Sequence, residues 1–115
     1  MDIGKHVQYW IDESMEALDT AKVLFNAGKN LESAFFCNLA CEKVLKAAFV
    51  QKTGQIPPKI HSLKQLAKLS GIYENMAETQ KEFLDALEVF KLKAGIHRIV
   101  RKFIRQPRLT YLNKY

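Results

Sequence analysis

The stretch EKVLKAAFVQKTGQIPPKIHSLKQL, residues 42–66, decides how the chain folds. Its first half ends an apolar helical segment, and Pro57 and Pro58 forbid that helix from continuing, because proline has no backbone N–H and clashes with the preceding turn. Ser62 then starts a short helix, since serine side chains cap helix N-termini. The stretch also places three charged residues in an otherwise apolar segment: Glu42, Lys43 and Lys46.

Two longer helices are predicted before the proline pair. The first covers about residues 3–27, with Asp2 as its N-cap and Gly28 as the left-handed residue that ends it. The second covers about residues 31–52, with Asn30 as its N-cap. Apolar residues of the first helix recur at i, i+3 and i+4 and are expected to face inward: Ile3, Val7, Trp10, Ala17, Leu18, Ala21, Leu24 and Phe25.

Two further helices complete the predicted fold. The short helix after Ser62 is closed by Gly71, and a fourth helix covers about residues 76–93. Its inner face is expected to contain Met76, Phe83, Leu84, Leu87, Phe90 and Ala94. Four helices with short connections predict an all-α fold, an antiparallel up-and-down four-helix bundle over residues 1–94.

Length and composition narrow the class of protein. A chain of 115 residues forms one domain and buries enough surface to fold without disulfides or a structural metal. Cys37 and Cys41 stand alone as possible metal ligands, so we expect free structural thiols, no metal site and no cofactor. No window approaches the ~20 apolar residues of a membrane span. These features predict a cytoplasmic protein without membrane association.

The net charge of +6 is concentrated in one part of the chain. Residues 1–90 contain all twelve acids and have a balance of −2, whereas residues 91–115 contain all four arginines, no acid, and a balance of +8. A basic segment with interleaved apolar and aromatic residues is typical of nonspecific nucleic-acid binding. The residues that carry this alternative are Arg98, Arg101, Lys102 and Arg105.

The charges of the second helix have two interpretations. Glu42 falls on the apolar arc of that helix, where an ionised carboxylate costs several kcal/mol unless it is paired. Lys46 lies one turn later in the favourable orientation, but such a pair contributes only a few tenths of a kcal/mol, so a second partner is expected. The residues form either an ion pair that fixes packing or a polar cleft in which Lys43 and Lys46 bind a phosphate.

Two blocks of the sequence resemble a known family. They read Gly28-x5-Ala34-Phe35-Phe36-x3-Ala40-x-Glu42-Lys43-x-Leu45-Lys46-Ala47 and Pro58-x-x-His61-Ser62-Leu63-x-x-Leu66. At this spacing they are similar to the HEPN domain family, named for higher eukaryotes and prokaryotes nucleotide-binding. The resemblance covers about residues 5–94.

The resemblance implies a helical bundle that is usually dimeric. Free-standing prokaryotic members resemble accessory subunits of a minimal nucleotidyltransferase encoded beside them, and many such pairs look like toxin-antitoxin modules. Carried over by position, the nucleotide-binding residues are Glu42, Lys43, Lys46 and His61. His61 has a simpler alternative role, a hydrogen bond to Glu42 or to the backbone at a helix start.

The pattern of HEPN ribonucleases is absent from this sequence. Those enzymes carry an Arg followed four to six residues later by a His, and no Arg precedes His6, His61 or His97. We therefore predict no catalytic residues and a non-catalytic protein. The alternative in this class is a HEPN ribonuclease inactivated by loss of its C-terminal motif.

The match to the family stops at Lys93 and Ala94, and residues 95–115 depart from it. Related proteins continue with an Ala-Arg-Tyr-Pro-acidic motif and a final helix. Read one base earlier, permitted codons across residues 94–99 spell Arg-Tyr-Pro-Pro-Asp, so one lost base would produce the sequence observed. The segment is thus interpreted as either frameshifted or genuinely divergent.

Overall fold

The computed structural model describes residues 1–89, whose regular structure is entirely helical, without a β-strand. Helix α1 spans Ile3–Asn26, α2 spans Asn30–Thr53, α3 spans Leu63–Leu69, and α4 covers residues 78–89. A single 3-10 turn, Tyr73–Asn75, precedes α4. The predicted all-α fold with four helices is confirmed. Phe90, Ala94 and the basic segment 95–115 lie outside the described residues.

Most helix ends form as predicted. The Asp2 carboxylate accepts from the backbone N–H of Lys5 at 3.1 Å, and the Ser62 hydroxyl accepts from that of Gln65 at 3.3 Å. Gly54, with φ of +68°, ends α2 in the left-handed conformation that only glycine adopts without strain. These local signals therefore fix where three of the described helix ends lie.

Two predicted helix starts are wrong by one or two residues. The N-cap of α2 is Lys29 and not Asn30, because the Lys29 carbonyl already accepts from the backbone N–H of Ser33 at 2.9 Å. Helix α4 starts at residue 78 and not at 76, because Met76 is extended, with ψ of 141°. The Gln80 side chain then accepts from the backbone N–H of Ala77 at 2.9 Å and caps α4.

Helices α1 and α2 form an antiparallel hairpin held by two serine hydrogen bonds. Ser33 donates to the Ala21 carbonyl at 2.7 Å, and Ser14 donates to the Ala40 carbonyl at 2.8 Å. From the first of these contacts to the second, the position on α1 moves back along the chain by as many residues as the position on α2 moves forward. The two helices are therefore antiparallel. The alanines on the line of contact are buried: Ala17, Ala21 and Ala40. Small residues there let the two helices approach closely.

The close contact along the alanines leaves several bulky residues outside. Phe25 is 64% exposed, Leu18 is 42% exposed and Ile3 is 43% exposed, so the prediction that they face inward is wrong. Phe83 of α4, also predicted inward, is 56% exposed. The periodic stripe predicted from the sequence is therefore wider than the surface that the described helices cover.

The hydrophobic core lies on the other side of α2. It is formed by buried residues from three helices: Leu45, Leu63, Leu66, Ala67, Leu84 and Leu87. Two buried hydrogen bonds to main-chain carbonyls add to this packing. The Asn38 amide donates to the Leu87 carbonyl at 3.1 Å, and the Ser70 hydroxyl donates to that of Leu45 at 3.1 Å. Helix α2 thus packs against α1 on one side and against α3 and α4 on the other, which makes it the central helix of the described residues.

Within residues 1–89, no helix combines the length and the apolarity that crossing a bilayer requires.

Candidate functional site

Glu42 is a buried carboxylate with two charged or chargeable partners. Its side chain is 6% exposed. Lys46 Nζ donates to its Oε2 at 3.3 Å, and His61 Nδ1 donates to its Oε1 at 3.2 Å. Because an unpaired buried carboxylate is strongly destabilising, these bonds are what allow it to lie inside the fold. The expectation of a second partner beside Lys46 is confirmed.

Two local features of the chain bring these residues together. Lys46 follows Glu42 by one turn of α2, which places both side chains on the same face. His61 arrives from the far side of the proline turn, in which Pro57 is buried. The His61 side chain is 67% exposed while it bonds to Glu42. The imidazole therefore lies at the surface, directly over the buried carboxylate.

Trp10 of α1 joins the lysines of α2 to this group. The ammonium of Lys43 lies 5.1 Å from the centre of the Trp10 ring, and that of Lys46 lies 5.3 Å from it. Both distances are within the range of cation–π attraction. The Trp10 indole N–H donates to His6 Nε2 at 3.2 Å, which leaves the His6 proton on Nδ1, a buried atom without a hydrogen-bond partner among the described residues. One hydrogen bond and two cation–π contacts thus hold the Trp10 ring in place.

The start of α3, next to His61, is occupied by a carboxylate of the protein itself. Glu88 of α4 accepts from the backbone N–H of Leu63 at 2.6 Å, and Ser62 accepts from that of Gln65. Exposed N–H groups at a helix start bind anions, and here Glu88 takes that position. A phosphate at this site would therefore be held by side chains rather than by the helix terminus.

We define the Glu42 cluster as Trp10, Glu42, Lys43, Lys46 and His61. Its two lysines differ in whether a carboxylate neutralises their charge. Lys46 is 8% exposed and bound to Glu42, so its charge is used inside the fold. Lys43 is half-buried and has no carboxylate oxygen within 4.0 Å in residues 1–89. Lys43 is therefore the ammonium group of the cluster that can contact an added anion.

The surface at Lys43 is shallow. A depression of about 170 Å³ lies there, lined also by Glu13 and Glu16 of α1. Pockets that enclose a drug-sized ligand measure roughly 300–1,000 Å³, so this depression does not enclose a nucleotide. The arrangement suits electrostatic binding of an anion, and the cluster contains no hydroxyl or thiol nucleophile.

The structure brings together Glu42, Lys46 and His61 directly, and Lys43 through Trp10. The alternative nucleic-acid residues Arg98, Arg101, Lys102 and Arg105 lie outside the described residues. Sequence reasoning missed the roles of His6, Trp10 and Glu88 in this cluster. The signal for Trp10 lies in the structure and not in the sequence. The antiparallel register pairs residue 10 of α1 with residue 44 of α2, between the two lysines, once the serine contacts are known.

The cysteines show no features of a metal site or reactive thiol. Cys37 and Cys41 are free and half-buried, and no cluster of three potential metal ligands occurs within residues 1–89. Burial, and then the neighbouring Cys37, raise the pKa of the Cys41 thiol above its ordinary value. A raised pKa reduces the thiolate fraction, so Cys41 has the character of a packing residue.

Comparison with known proteins gives one finding. The family model of the HEPN domain matches residues 7–95, which is most of the chain and includes every residue of the Glu42 cluster. No curated protein and no solved structure matches the chain. The fold is helical, both sequence blocks lie within the matched residues, and the match covers more than half of the chain. The chain belongs to the HEPN domain family.

Proposed function

We propose that this chain is a non-catalytic cytoplasmic HEPN subunit. It forms a homodimer, binds a nucleotide at the Glu42 cluster, and acts as the accessory subunit of a minimal nucleotidyltransferase in a toxin-antitoxin pair. The observation that carries the nucleotide part is the half-buried Lys43 ammonium, which lies over Trp10 without a carboxylate partner in residues 1–89.

The roles within the cluster follow from exposure. Lys43 and the exposed imidazole of His61 contact the nucleotide phosphate. Glu42 and Lys46 are positioning residues, because they are buried and hold His61 and the Trp10 ring in place. Hydrogen bonds that involve a charged group contribute about 1.5–3 kcal/mol, so loss of the Lys43 contact lowers nucleotide affinity about tenfold or more.

A fluorescence titration tests this site, because Trp10 is the only tryptophan of the chain. ATP and GTP are added to the full chain, to Lys43→Gln and to the matched control Lys29→Gln, which changes the charge of an exposed lysine just before α2. We expect a fluorescence change that Lys43→Gln weakens about tenfold and Lys29→Gln leaves within twofold. Equal affinities for the two variants would contradict the site.

The homodimer is supported by apolar surface on the far half of α1. Phe25 is 64% exposed and Leu18 is 42% exposed. Both line an open depression of about 440 Å³ between α1 and α2, together with Ala21, Lys22, Asn26, Ser33 and Cys37. Contiguous apolar surface of this kind is typical of an interface. A second copy of the same chain covers it in our proposal.

Light scattering tests the homodimer. We expect about twice the monomer mass of 13.2 kDa at micromolar concentration. Leu18→Glu/Phe25→Glu should yield monomers, whereas Met15→Glu, which replaces a similarly exposed residue outside this depression, should not. A wild-type mass of one chain would exclude the dimer. The accessory role requires a nucleotidyltransferase gene beside this one and co-purification of the two products.

The charge distribution supports a second candidate function, nucleic-acid binding through residues 95–115. Deleting this segment should then abolish RNA binding while Lys43→Gln leaves it unchanged. If the segment is instead frameshifted, the gene sequence must encode Arg-Tyr-Pro in the neighbouring frame. The protein is then an inactivated HEPN ribonuclease, and restoring the frame should restore the missing motif.

A further inference from the structure

Tyr73, at the corner between α3 and α4, is surrounded by three lysines. The ammonium groups of Lys81, Lys68 and Lys64 lie 4.7, 5.2 and 5.8 Å from the centre of its ring. Lys64 and Lys68 come from α3 and Lys81 comes from α4. Since all three lie within 5.8 Å of one point, no two of them are separated by more than twice that distance. Two helices thus concentrate three positive charges at one place.

None of these three charges is held in an ion pair by the described part of the chain. No carboxylate oxygen of residues 1–89 lies within 4.0 Å of any of the three ammonium groups, although Glu78 and Asp85 stand one turn from Lys81 on α4. Lys64 and Lys68 are exposed, and they stand one turn apart on α3, a spacing at which like charges repel. The three ammonium groups are therefore open to contact with an added anion.

The tyrosine ring by itself does not satisfy three cations. An aromatic ring has two negative faces and a positive edge, so at most two ammonium groups can have a favourable position on it. The ring is also held in place, because Tyr73 packs against the core cluster of buried leucines. Tyr73 therefore acts as a fixed platform that gathers the lysines and leaves part of their charge for an external anion.

We propose that Tyr73 with Lys64, Lys68 and Lys81, here named the Tyr73 cluster, binds a compact polyphosphate, such as the triphosphate group of a nucleotide. A triphosphate concentrates several negative charges in a small volume, which matches three ammonium groups that converge on one ring. The phosphates of a polynucleotide are spread along its chain and match this geometry less well. The Tyr73 cluster shares no residue with the Glu42 cluster and does not depend on the function proposed for it.

Calorimetric titration with inorganic triphosphate, on the full chain at low salt, tests the proposal. Lys64→Gln, Lys68→Gln and Lys81→Gln should each lower affinity about tenfold, because each removes a charged donor to phosphate. Tyr73→Leu, which keeps an apolar side chain against the core, should lower it about threefold through loss of the cation–π contacts. The matched controls Lys5→Gln and Lys29→Gln change the same net charge at exposed positions elsewhere and should stay within twofold.

Any of three results would overturn the proposal. Equal affinity for the Tyr73-cluster variants and the two controls would overturn the proposal, because binding would then follow net charge alone. Loss of triphosphate binding in Lys43→Gln but not in Lys68→Gln would also overturn it and would place the anion at the Glu42 cluster. If a short oligouridylate binds and inorganic triphosphate fails to displace it, the ligand is RNA and the proposal is wrong. Circular dichroism should show unchanged helicity in every variant.

Discussion

The Glu42 cluster and the Tyr73 cluster both place lysine ammonium groups against an aromatic ring, but they differ in burial and in compensation. Lys46 is 8% exposed and is paired with a carboxylate, whereas Lys64 and Lys68 are exposed and have no carboxylate within 4.0 Å in residues 1–89. Desolvation makes an unpaired buried charge costly, while water stabilises an exposed one. The buried pair of the first cluster therefore belongs to the fold and leaves Lys43 as the ammonium group open to an anion, whereas all three lysines of the second cluster lie outside any ion pair in residues 1–89.

The largest expected effect comes from removing the buried carboxylate. Glu42→Ala should lower the free energy of unfolding by about 3 kcal/mol, because the buried Lys46 ammonium loses its charged partner. The exposed control Glu16→Ala should change it by less than about 0.5 kcal/mol. Urea denaturation followed by circular dichroism measures both. Similar midpoints for the two variants would show that Glu42 does not carry the role assigned to it.

Replacing one lysine of each cluster by methionine compares the two clusters directly. Lys46→Met should lower the free energy of unfolding by about 2 kcal/mol, since it removes a charged hydrogen bond from a buried carboxylate. Lys68→Met should change it by less than about 0.5 kcal/mol, because Lys68 is exposed and has no carboxylate partner in the described residues. Thermal unfolding at constant pH measures the difference. If both substitutions destabilise equally, the distinction between the clusters fails.

Helix α3 links the two clusters, since His61 precedes it and Lys64 and Lys68 lie on it. Glu88→Gln should lower the free energy of unfolding by about 1 kcal/mol, because the neutral amide is a weaker acceptor at the α3 N-terminus. Hydrogen exchange should show faster opening at Leu63. Glu82→Gln, on an exposed position of α4, is the control and should leave that exchange unchanged.

The smallest effect concerns Cys41, a polar group that burial keeps uncharged. Its raised pKa means that less thiolate is present at any given pH, so iodoacetamide should alkylate Cys41 more slowly than it alkylates glutathione at pH 8. The pH at which the rate reaches half its maximum should also be higher. Cys37→Ser isolates the signal of Cys41. An alkylation rate equal to that of glutathione would contradict the burial effect.

Much of the fold is predictable from short-range chemistry. Asp2, Gly54 and Ser62 mark helix ends through capping bonds or backbone conformation, which depend on a few neighbouring residues. The partnership of Glu42 is also predictable, because a carboxylate on an apolar arc requires compensation wherever its helix packs. The two wrong helix starts, at Asn30 and Met76, lie in turns whose hydrogen bonds the local sequence does not specify uniquely.

Side-chain exposure is less predictable. Helical periodicity predicts a stripe of apolar residues along one face of a helix. How much of that stripe is buried depends on how closely the neighbouring helix approaches. Alanines and serines on the contact line of α1 and α2 bring the helices together and leave Phe25 and Leu18 outside. Periodicity alone would not have given this result.

The sequence by itself determined the helical class, most of the described helix ends and the need of Glu42 for charged partners, because these follow from backbone hydrogen bonding and desolvation. Only the tertiary structure decided which residues complete the two clusters. Trp10 reaches the lysines through the antiparallel register of α1 and α2, and Lys81 joins the lysines of α3 at Tyr73 through the packing of α4. Contacts between residues so distant in sequence depend on how whole helices pack, and no local pattern specifies that packing.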